Sequence, residues 1–220
     1  MKIEFCISTL EGALAAEKWK ADRVELCSEL DKDGLTPSFS LIKSCTEKFS
    51  GETHVMIRPH NNGFIYTNQE INGMIQQIKL AKKANAFGVV FGVLNRKNRV
   101  NIEANQKLIK EAKKLSLTCT FHRAFDFCKT PIKSLEEIIA LKFDWLLTSG
   151  QQQTAIEGIN QIEKVISSSK GRIQVLAGSG VNATNAKSLS KTGINALHFT
   201  VDKTGKVDQK KIASIKEVIQ

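Results

Sequence analysis

The chain has 220 residues, of which 41% are hydrophobic and 6% aromatic, and its formal net charge is +10. This length fits one or two ordinary domains or one α/β barrel, and no apolar run approaches the roughly 20 residues that a membrane span needs. The positive charge raises nucleic acid as a partner, but the lysines lie in separate helical patterns and aromatic residues are few, so we expect a solvated basic surface and no nucleic-acid binding.

Short runs with the composition of β-strands alternate with helical patterns along the chain. The predicted strands are 2–8, 23–28, 53–59, 88–93, 117–123, 145–149, 172–177 and 196–201. Strict alternation indicates parallel strands joined by right-handed crossovers. Eight such units predict a single domain over residues 1–220, an α/β fold of the (β/α)₈ TIM-barrel class. An open doubly wound sheet is the competing fold, but no dinucleotide-binding fingerprint follows the first strand.

The cysteines and the N-terminus bear on the cellular compartment. The chain begins without the charged region, apolar stretch and small-residue cleavage site of an export signal. Its five cysteines are odd in number and widely spaced, so we expect reduced thiols and not a disulfide framework. These observations predict a cytoplasmic protein.

The first two predicted strands each contain a Glu-apolar-Cys triplet. Because the side chains of a strand alternate between its two faces, Glu4 shares a face with Cys6, and Glu25 shares a face with Cys27. The apolar residues between them are expected to pack against the helices, which leaves two carboxylates and two thiols inside the barrel. Each thiol should lie one layer nearer the carboxyl-terminal mouth than its glutamate.

Strands three, five and eight are also predicted to turn polar or sulfur-containing side chains inward. These residues are His54, Met56, Arg58, Thr118, Thr120, His122, His198 and Thr200. The interior of a (β/α)₈ barrel is ordinarily filled by Val, Ile and Leu. The polar composition therefore favours a deep functional site over simple packing.

Three hypotheses apply to Cys6 and Cys27. They could be small buried fillers, they could be reactive thiols, or they could bind Cu(I) with help from Met56 or His198, because thiolates and thioethers select soft metals. No Cys-x-x-Cys or His-x-His spacing strengthens the metal interpretation. We expect the other three cysteines to lie outside this site; they are Cys45, Cys119 and Cys128.

The two inward glutamates must be paired or protonated, since an isolated buried charge is very costly. We expect Arg58, Arg123 and His122 to be their partners. One interpretation is a salt-bridge network that holds the barrel open. The other is an acid/base centre in which Glu25 or His122 moves a proton while Arg58 and Arg123 hold an anionic group. Asp126 either orients the imidazole of His122 or is an ordinary loop residue.

The seventh strand runs into a glycine-rich turn, Gly178-Ser179-Gly180. In (β/α)₈ barrels the loops after strands seven and eight often hold a phosphate on backbone N–H groups, and glycines allow a close approach. Ser149, after the sixth strand, would add a hydroxyl at the same end. The alternative is a tight turn that needs glycine for its dihedral angles. The second functional hypothesis is thus an enzyme that acts on a small anionic or phosphorylated metabolite.

Several longer segments share the sequence and order of one known family. They are Glu25-Leu26-Cys27, Gly34-Leu35-Thr36-Pro37-Ser38, Met56-Ile57-Arg58-Pro59, Val89-Val90-Phe91-Gly92, Thr120-Phe121-His122-Arg123-Ala124-Phe125-Asp126 and Leu147-Thr148-Ser149-Gly150-Gln151. From about residue 3 to residue 200 the chain resembles the CutC family of copper homeostasis proteins. The resemblance implies a cytosolic TIM barrel, often a homo-oligomer, with a cysteine pair matching Cys6 and Cys27 proposed to bind Cu(I).

One loop departs from that family's pattern. After Pro59 the family usually continues Arg-Gly-Gly-Asp-Phe, whereas this chain has His60-Asn61-Asn62-Gly63-Phe64. The difference removes a cation and an acid from one loop of the expected site. It bears on the ligand of the site and not on the fold.

Overall fold

Eight parallel strands pair in chain order, and the last strand pairs with the first to close a barrel. The computed structural model describes residues 1–202 and 205–219. The strands are β1 (Lys2–Ile7), β2 (Arg23–Leu26), β3 (Glu52–Met56), β4 (Gly88–Phe91), β5 (Thr118–Phe121), β6 (Trp145–Thr148), β7 (Gln174–Ala177) and β8 (Ala196–Thr200). The helices are α1 (Leu10–Lys18), α2 (Phe39–Lys48), α3 (Asn68–Lys83), α4 (Ile102–Lys114), α5 (Pro131–Ala140), α6 (Ile159–Ser169), α7 (Ala186–Ser190) and α8 (Gln209–Ile219). The predicted (β/α)₈ barrel is confirmed.

Several helices begin where a side-chain oxygen satisfies the free N–H groups of the first turn. Thr67 and Glu70 form a capping box at the start of α3, and Asn101 caps α4. Asp208 accepts a hydrogen bond from the backbone of α8. Within residues 1–202 and 205–219, none of the helices combines the length and apolar character that a bilayer crossing requires.

The two faces of each strand bury different kinds of residue. Outward side chains such as Phe5, Val24 and Val89 pack with the helices in the main hydrophobic core. Inside the barrel, the half formed by β6, β7 and β8 carries a separate apolar cluster of Trp145, Leu147, Leu176 and Ala196. The rest of the interior, from β1 to β5 and including His198 of β8, holds most of the polar and sulfur-containing residues. The strand alternation read from the sequence is therefore confirmed.

Several strands end one to three residues before their predicted ends. Arg58 and His122 consequently lie just beyond β3 and β5, where the backbone begins to turn outward, and not inside the sheet. Residues at these positions line the rim of the barrel mouth. This geometry separates them from the deeper charged residues of β1 and β2.

Asp202 connects the end of β8 to the turn between β1 and α1. Its buried carboxylate accepts hydrogen bonds from the backbone N–H groups of Ser8 and Thr9 at 2.9 and 3.0 Å, and from the Thr9 hydroxyl at 2.6 Å. The Thr9 hydroxyl in turn accepts a bond from Gly12 at the start of α1. One carboxylate thus ties the last strand to the first βα unit.

Candidate functional site

A cavity of about 460 Å³ opens at the carboxyl ends of the strands. Its wall includes residues from β1, β2, β3 and β8 and from the loops that follow β3 and β5. Among them are Cys6, Glu25, Cys27, Met56, Arg58, Phe64, His122, Arg123, Phe127 and His198. A cavity of this size accommodates a small organic molecule.

Cys6 and Cys27 lie side by side in the wall of this cavity. Both are buried, and they form a small cluster with Met56 and Val90 that is separate from the main core. The Sγ atoms of the two cysteines and a carboxylate oxygen of Glu25 all lie within 4.8 Å of one another. The two thiols therefore share one microenvironment, as the alternation of the strands predicts.

The stagger between β1 and β2 modifies the expected layers. Within each strand the cysteine is nearer the mouth than its own glutamate, but Cys6 is the register partner of Glu25. Cys6 and Glu25 are thus level, with Glu4 below them and Cys27 above. Cys27 Sγ lies 3.7 Å from Glu25 Oε2, to which it donates a hydrogen bond.

Glu4 is held by two cationic or potentially cationic residues. Arg23 Nε donates to one oxygen of its carboxylate, and His198 Nδ1 lies 2.7 Å from the other. Burial opposes the ionisation of Glu4, but Arg23 and then His198 outweigh burial and lower the pKa of Glu4 to about 2. Arg23 also donates to Thr120 and stacks on Trp145, with 4.4 Å between the guanidinium carbon and the ring centroid.

The partners expected for the glutamates were therefore wrong. Arg58, Arg123 and His122 do not form ion pairs with Glu4 or Glu25 in the described parts of the chain. The physical reason is the register: Arg23 and His198 are directly opposite Glu4 on the neighbouring strands. The three predicted partners belong instead to the rim.

His198 connects the carboxylates to the thiols. Its Nε2 lies 3.7 Å from Glu25 Oε2, and the imidazole also interacts with Cys6. Burial by itself lowers the pKa of His198, but Glu25, Cys6 and Glu4 together raise it well above its ordinary value. Burial raises the pKa of Glu25 to about 8. The His198 imidazole is therefore protonated at neutral pH, and its neighbours Glu4, Glu25 and Cys6 stabilise the positive charge.

The two thiols have unequal acidities. The hydrogen bond from Cys27 lowers the pKa of Cys6 to about 5, with His198 contributing in the same direction against the effect of burial. The same hydrogen bond and burial raise the pKa of Cys27 well above its ordinary value. Cys6 is therefore the more acidic of the two thiols, and Cys27 is the one that keeps its proton, which it donates to Glu25.

Arg58 anchors the loop between β2 and α2. Its Nη1 donates to the backbone carbonyls of Lys32, Asp33 and Gly34 at 3.0–3.1 Å. The guanidinium carbon lies 5.1 Å from the ring centroid of Phe64. Arg58 is thus held rigidly at the rim, with its charge facing the cavity region.

His122 lies on the other side of Phe64, with 4.9 Å between the ring centroids. Burial, and then the charge of Arg58, lower the pKa of His122 to about 3, so the imidazole is uncharged at neutral pH. Its Nδ1 accepts a hydrogen bond from the backbone N–H of Ala124. The proton of the neutral ring consequently lies on Nε2.

Asp126 organises two loops at the rim. It accepts hydrogen bonds from Arg123 Nε at 2.9 Å, from the hydroxyls of Thr148 and Ser149, and from the backbone of Ser149. In the described parts of the chain its partners do not include His122, so of the two alternatives for Asp126 the structure excludes orientation of that imidazole. The Ser149 side chain is fully buried and lies behind the cavity wall, where its hydroxyl is bonded to Asp126.

The Gly178–Gly180 turn meets the cavity through Ser179 and Gly180, which have φ angles of +82° and +69°. The backbone N–H of Gly178 donates to the Thr148 carbonyl, and the Ser179 hydroxyl donates to another backbone carbonyl at 2.6 Å. A Cβ at Gly178 would lie 2.9 Å from the His198 ring. Close packing and backbone conformation thus account for glycine here, and two of the polar groups expected to bind phosphate are engaged internally.

The remaining cysteines lie away from the cavity. Cys45 on α2 and Cys119 on β5 are in the main core, and Cys128 is in the loop before α5. Burial raises the pKa of Cys45 and Cys119 to about 12 and that of Cys128 to about 11. They have the character of inert structural thiols.

Sequence reasoning missed Arg23 and the aromatic residues Phe64 and Phe127. Arg23 has the same strand parity as Glu25, so the alternation on β2 already contained the signal for an inward cation. Phe64 and Phe127 lie outside the strands and α-helices, where no strand periodicity indicates which way a side chain points. Their ring centroids are 5.4 Å apart, and together they form an aromatic part of the cavity wall.

Fold and site together define a (β/α)₈ barrel with a thiol-containing cavity at the carboxyl ends of its strands. The model of the CutC family matches residues 1–203, and the chain belongs to the CutC family. Among its relatives, family protein CutC of Pasteurella multocida is 43% identical over 201 residues, which cover 91% of this chain and 82% of that protein. The corresponding protein of Bacteroides thetaiotaomicron is 41% identical over 211 residues, or 95% and 84% of the two chains.

Solved structures agree with this assignment. The CutC protein of Streptococcus agalactiae, named for copper homeostasis, superposes with a TM-score of 0.84 at 31% identity and covers 93% of this chain and 100% of its own. More distant barrels share the fold alone. The 3-hexulose-6-phosphate synthase of Salmonella typhimurium, for example, has a TM-score of 0.69 at 16% identity, covering 100% of this chain and 98% of its own.

Proposed function

We propose that the protein binds Cu(I) at Cys6 and Cys27 and serves copper homeostasis. The observation that carries the proposal is the side-by-side placement of the two thiols in a cavity wall. Sulfur ligands select Cu(I) over harder ions. The thiolate character of Cys6 supplies the first ligand, and binding of the ion displaces the proton of Cys27.

Neighbouring residues complete a soft donor set. Met56 is in the same buried cluster as both cysteines and offers a thioether, and His198 offers its Nε2 once the imidazole has lost its extra proton. The hydrogen bond between His198 Nδ1 and Glu4 fixes the orientation of the imidazole, as acceptors behind metal-binding histidines commonly do. We propose that one of these two residues assists the cysteine pair.

Anaerobic titration with Cu(I) in competition with a chromophoric chelator tests the proposal. Replacing both cysteines (Cys6→Ser with Cys27→Ser) is expected to weaken binding by about 100-fold or more, beyond the loss that changes around metal ligands typically cause. Cys119→Ser is the matched control, since it removes a buried thiol outside the cavity and should leave the affinity unchanged. Equal affinity in the double variant and the native protein would exclude the site.

A second candidate function is an enzyme that acts on a small anionic or phosphorylated metabolite. The observation that favours it is Glu25, whose pKa of about 8 suits proton transfer near neutral pH and whose side chain lines the cavity. In this proposal Glu25 and His122 act on protons, while Arg58 and Arg123, the latter supported by Asp126, hold the anion.

In the phosphorylated case, the Gly178-Ser179-Gly180 turn and Ser149 would bind the phosphate. A thermal-shift screen of carboxylated and phosphorylated metabolites tests this candidate. A rise in melting temperature that Arg58→Lys or Glu25→Gln abolishes is the expected result. A screen in which no anionic compound raises the melting temperature would count against it.

We also propose a cytoplasmic homo-oligomer that associates with neither nucleic acid nor membranes. Support comes from the reduced state expected for its thiols, the dispersed surface lysines and the family resemblance. Light scattering on the eluting protein gives the assembly mass, and a monomer at micromolar concentration would contradict the oligomer.

A further inference from the structure

Arg58 is a buried cation without a carboxylate partner. Only 5% of the residue is exposed, and within residues 1–202 and 205–219 no ion pair involves it. Its Nη1 has three backbone carbonyls as acceptors, but its buried Nε has no hydrogen-bond partner among the residues that the structure describes. A buried charge is costly unless it is paired, so the position calls for an anion.

His122 presents a second unsatisfied donor. The residue is 3% exposed, and its Nδ1 accepts from the backbone of Ala124, so the ring proton lies on Nε2. That Nε2 is buried and has no partner in the described parts of the chain. Unsatisfied buried donors are rare in folded proteins, and each one requires an explanation.

The side chains that carry the two donors both lie next to the ring of Phe64. Phe64 lies 5.1 Å from the guanidinium carbon of Arg58 and 4.9 Å from the ring centroid of His122. All three residues line the cavity, and Phe127 extends the aromatic wall. Phe64 belongs to the loop between β3 and α3 and is itself half-buried. Its ring therefore lies beside both side chains that carry the unsatisfied donors.

We propose that Arg58 and His122 bind the carboxylate of a small organic acid, with Arg58 Nε and His122 Nε2 each donating to a carboxylate oxygen once the Phe64 ring turns aside. The proposal rests on the second candidate function, a small anionic metabolite, and names its chemical class. The aromatic wall and the nearby Leu30 and Met56 suit an apolar body on that acid.

The donor set favours a carboxylate over a phosphate. One guanidinium and one uncharged imidazole offer a single positive charge and two N–H groups, which match a planar monoanion. A phosphate dianion requires more donors, and the Gly178 N–H and Ser179 hydroxyl that would supply them are already bonded within the protein. The ligand therefore binds on the Phe64 side of the cavity and not on the glycine turn.

Isothermal titration with propionate and benzoate tests the proposal, with propionamide and benzamide as uncharged isosteres and inorganic phosphate as the competing class. We expect saturable binding of at least one carboxylate and none of its amide. Arg58→Lys, which keeps the charge but removes Nε, and His122→Phe, which keeps a ring, should each weaken binding by about tenfold or more. His122→Gln should restore part of the loss, and Phe64→Ala should leave binding equal or tighter.

Controls separate this site from the other proposals. Arg172→Lys alters an exposed arginine and should bind like the native protein, and melting temperatures confirm that each variant is folded. No saturable carboxylate binding, equal binding of the amides, or carboxylate affinities unchanged in both Arg58→Lys and His122→Phe would overturn the proposal. Carboxylate binding that Arg58→Lys and His122→Phe weaken but Glu25→Gln does not would support this site while counting against the acid/base role of Glu25. Stabilisation by inorganic phosphate that is unchanged in both variants, with no saturable carboxylate binding, would overturn the proposal.

Discussion

Arg23 and Glu4 form an ion pair that the barrel encloses completely, with 0% and 1% of their side chains exposed. They are register partners on β2 and β1, so the closed sheet itself determines that the two charges meet. The stacking of Arg23 on Trp145 and the contact of Glu4 with His198 extend the pair across the barrel. These residues form the floor beneath the cavity.

Removing one member of this pair should be strongly destabilising. Arg23→Met leaves Glu4 buried without its main counter-charge, and we expect the free energy of unfolding to fall by about 3–5 kcal/mol. Urea denaturation measures the change. Arg172→Met is the matched control, since it breaks the exposed pair with Glu136 and should cost about 1 kcal/mol or less. Equal losses in the two variants would contradict the importance of enclosure.

Two glycines should respond oppositely to alanine. At Gly88 on β4, a Cβ would lie 2.2 Å from Thr118 Oγ1 and 2.4 Å from His54 Nδ1, so Gly88→Ala should cost about 1–3 kcal/mol through overpacking. At Gly73 in α3, a Cβ would meet no atom of the described residues within 4 Å, and Gly73→Ala should stabilise by up to about 1 kcal/mol. Thermal unfolding of both variants checks the opposite signs.

Asp202 should be more important to stability than its position at the end of a strand suggests. Asp202→Asn replaces a carboxylate that accepts from Ser8 and Thr9 with an amide that presents one acceptor oxygen and a donor. We expect a loss of about 1.5–3 kcal/mol, the range for hydrogen bonds to a charged group. Chemical denaturation gives the value, and faster hydrogen exchange at the start of α1 should accompany it. A stability equal to that of the native protein would show that the hydrogen bonds of Asp202 to Ser8 and Thr9 are dispensable.

The acid limb of the stability profile should depend on Glu52. The nearby His54, and then Lys2, lower its pKa from the ordinary value of 4.5 to about 2. The unfolded chain therefore takes up a proton first as the pH falls, so the stabilisation is complete above pH 4.5 and is lost toward pH 2. Glu52→Gln should flatten this part of the profile. Glu163→Gln, at an exposed position on α6, should follow the native curve, and a Glu52→Gln curve that also follows it would contradict the assignment.

Strand alternation predicted much of the site because its period is fixed by backbone geometry. Once Cys6 is placed inside, Glu4 must be inside as well, and the same holds for Cys27 and Glu25. The stagger between strands is different, since it arises from how the whole sheet closes and how the helices pack. The sequence therefore indicated that the carboxylates were buried without indicating that Glu4 would be paired with Arg23.

The rim was less predictable for the same reason. Arg58 and His122 lie just past their strands, and their surroundings are set by loops that no periodicity describes. Phe64 is the clearest case. The sequence shows only that it lies in a loop whose sequence differs from the family pattern, and its ring contacts with Arg58 and His122 are seen only in the folded chain.

The floor formed by Glu4, Arg23 and Trp145 closes the cavity at the end opposite its mouth. A ligand that reaches the thiols cannot travel on through the barrel, because buried side chains occupy the interior below them. A ligand must therefore enter and leave through the mouth at the carboxyl ends of the strands. Under the copper proposal, a donor and an acceptor of the ion would therefore have to approach the same face of the protein.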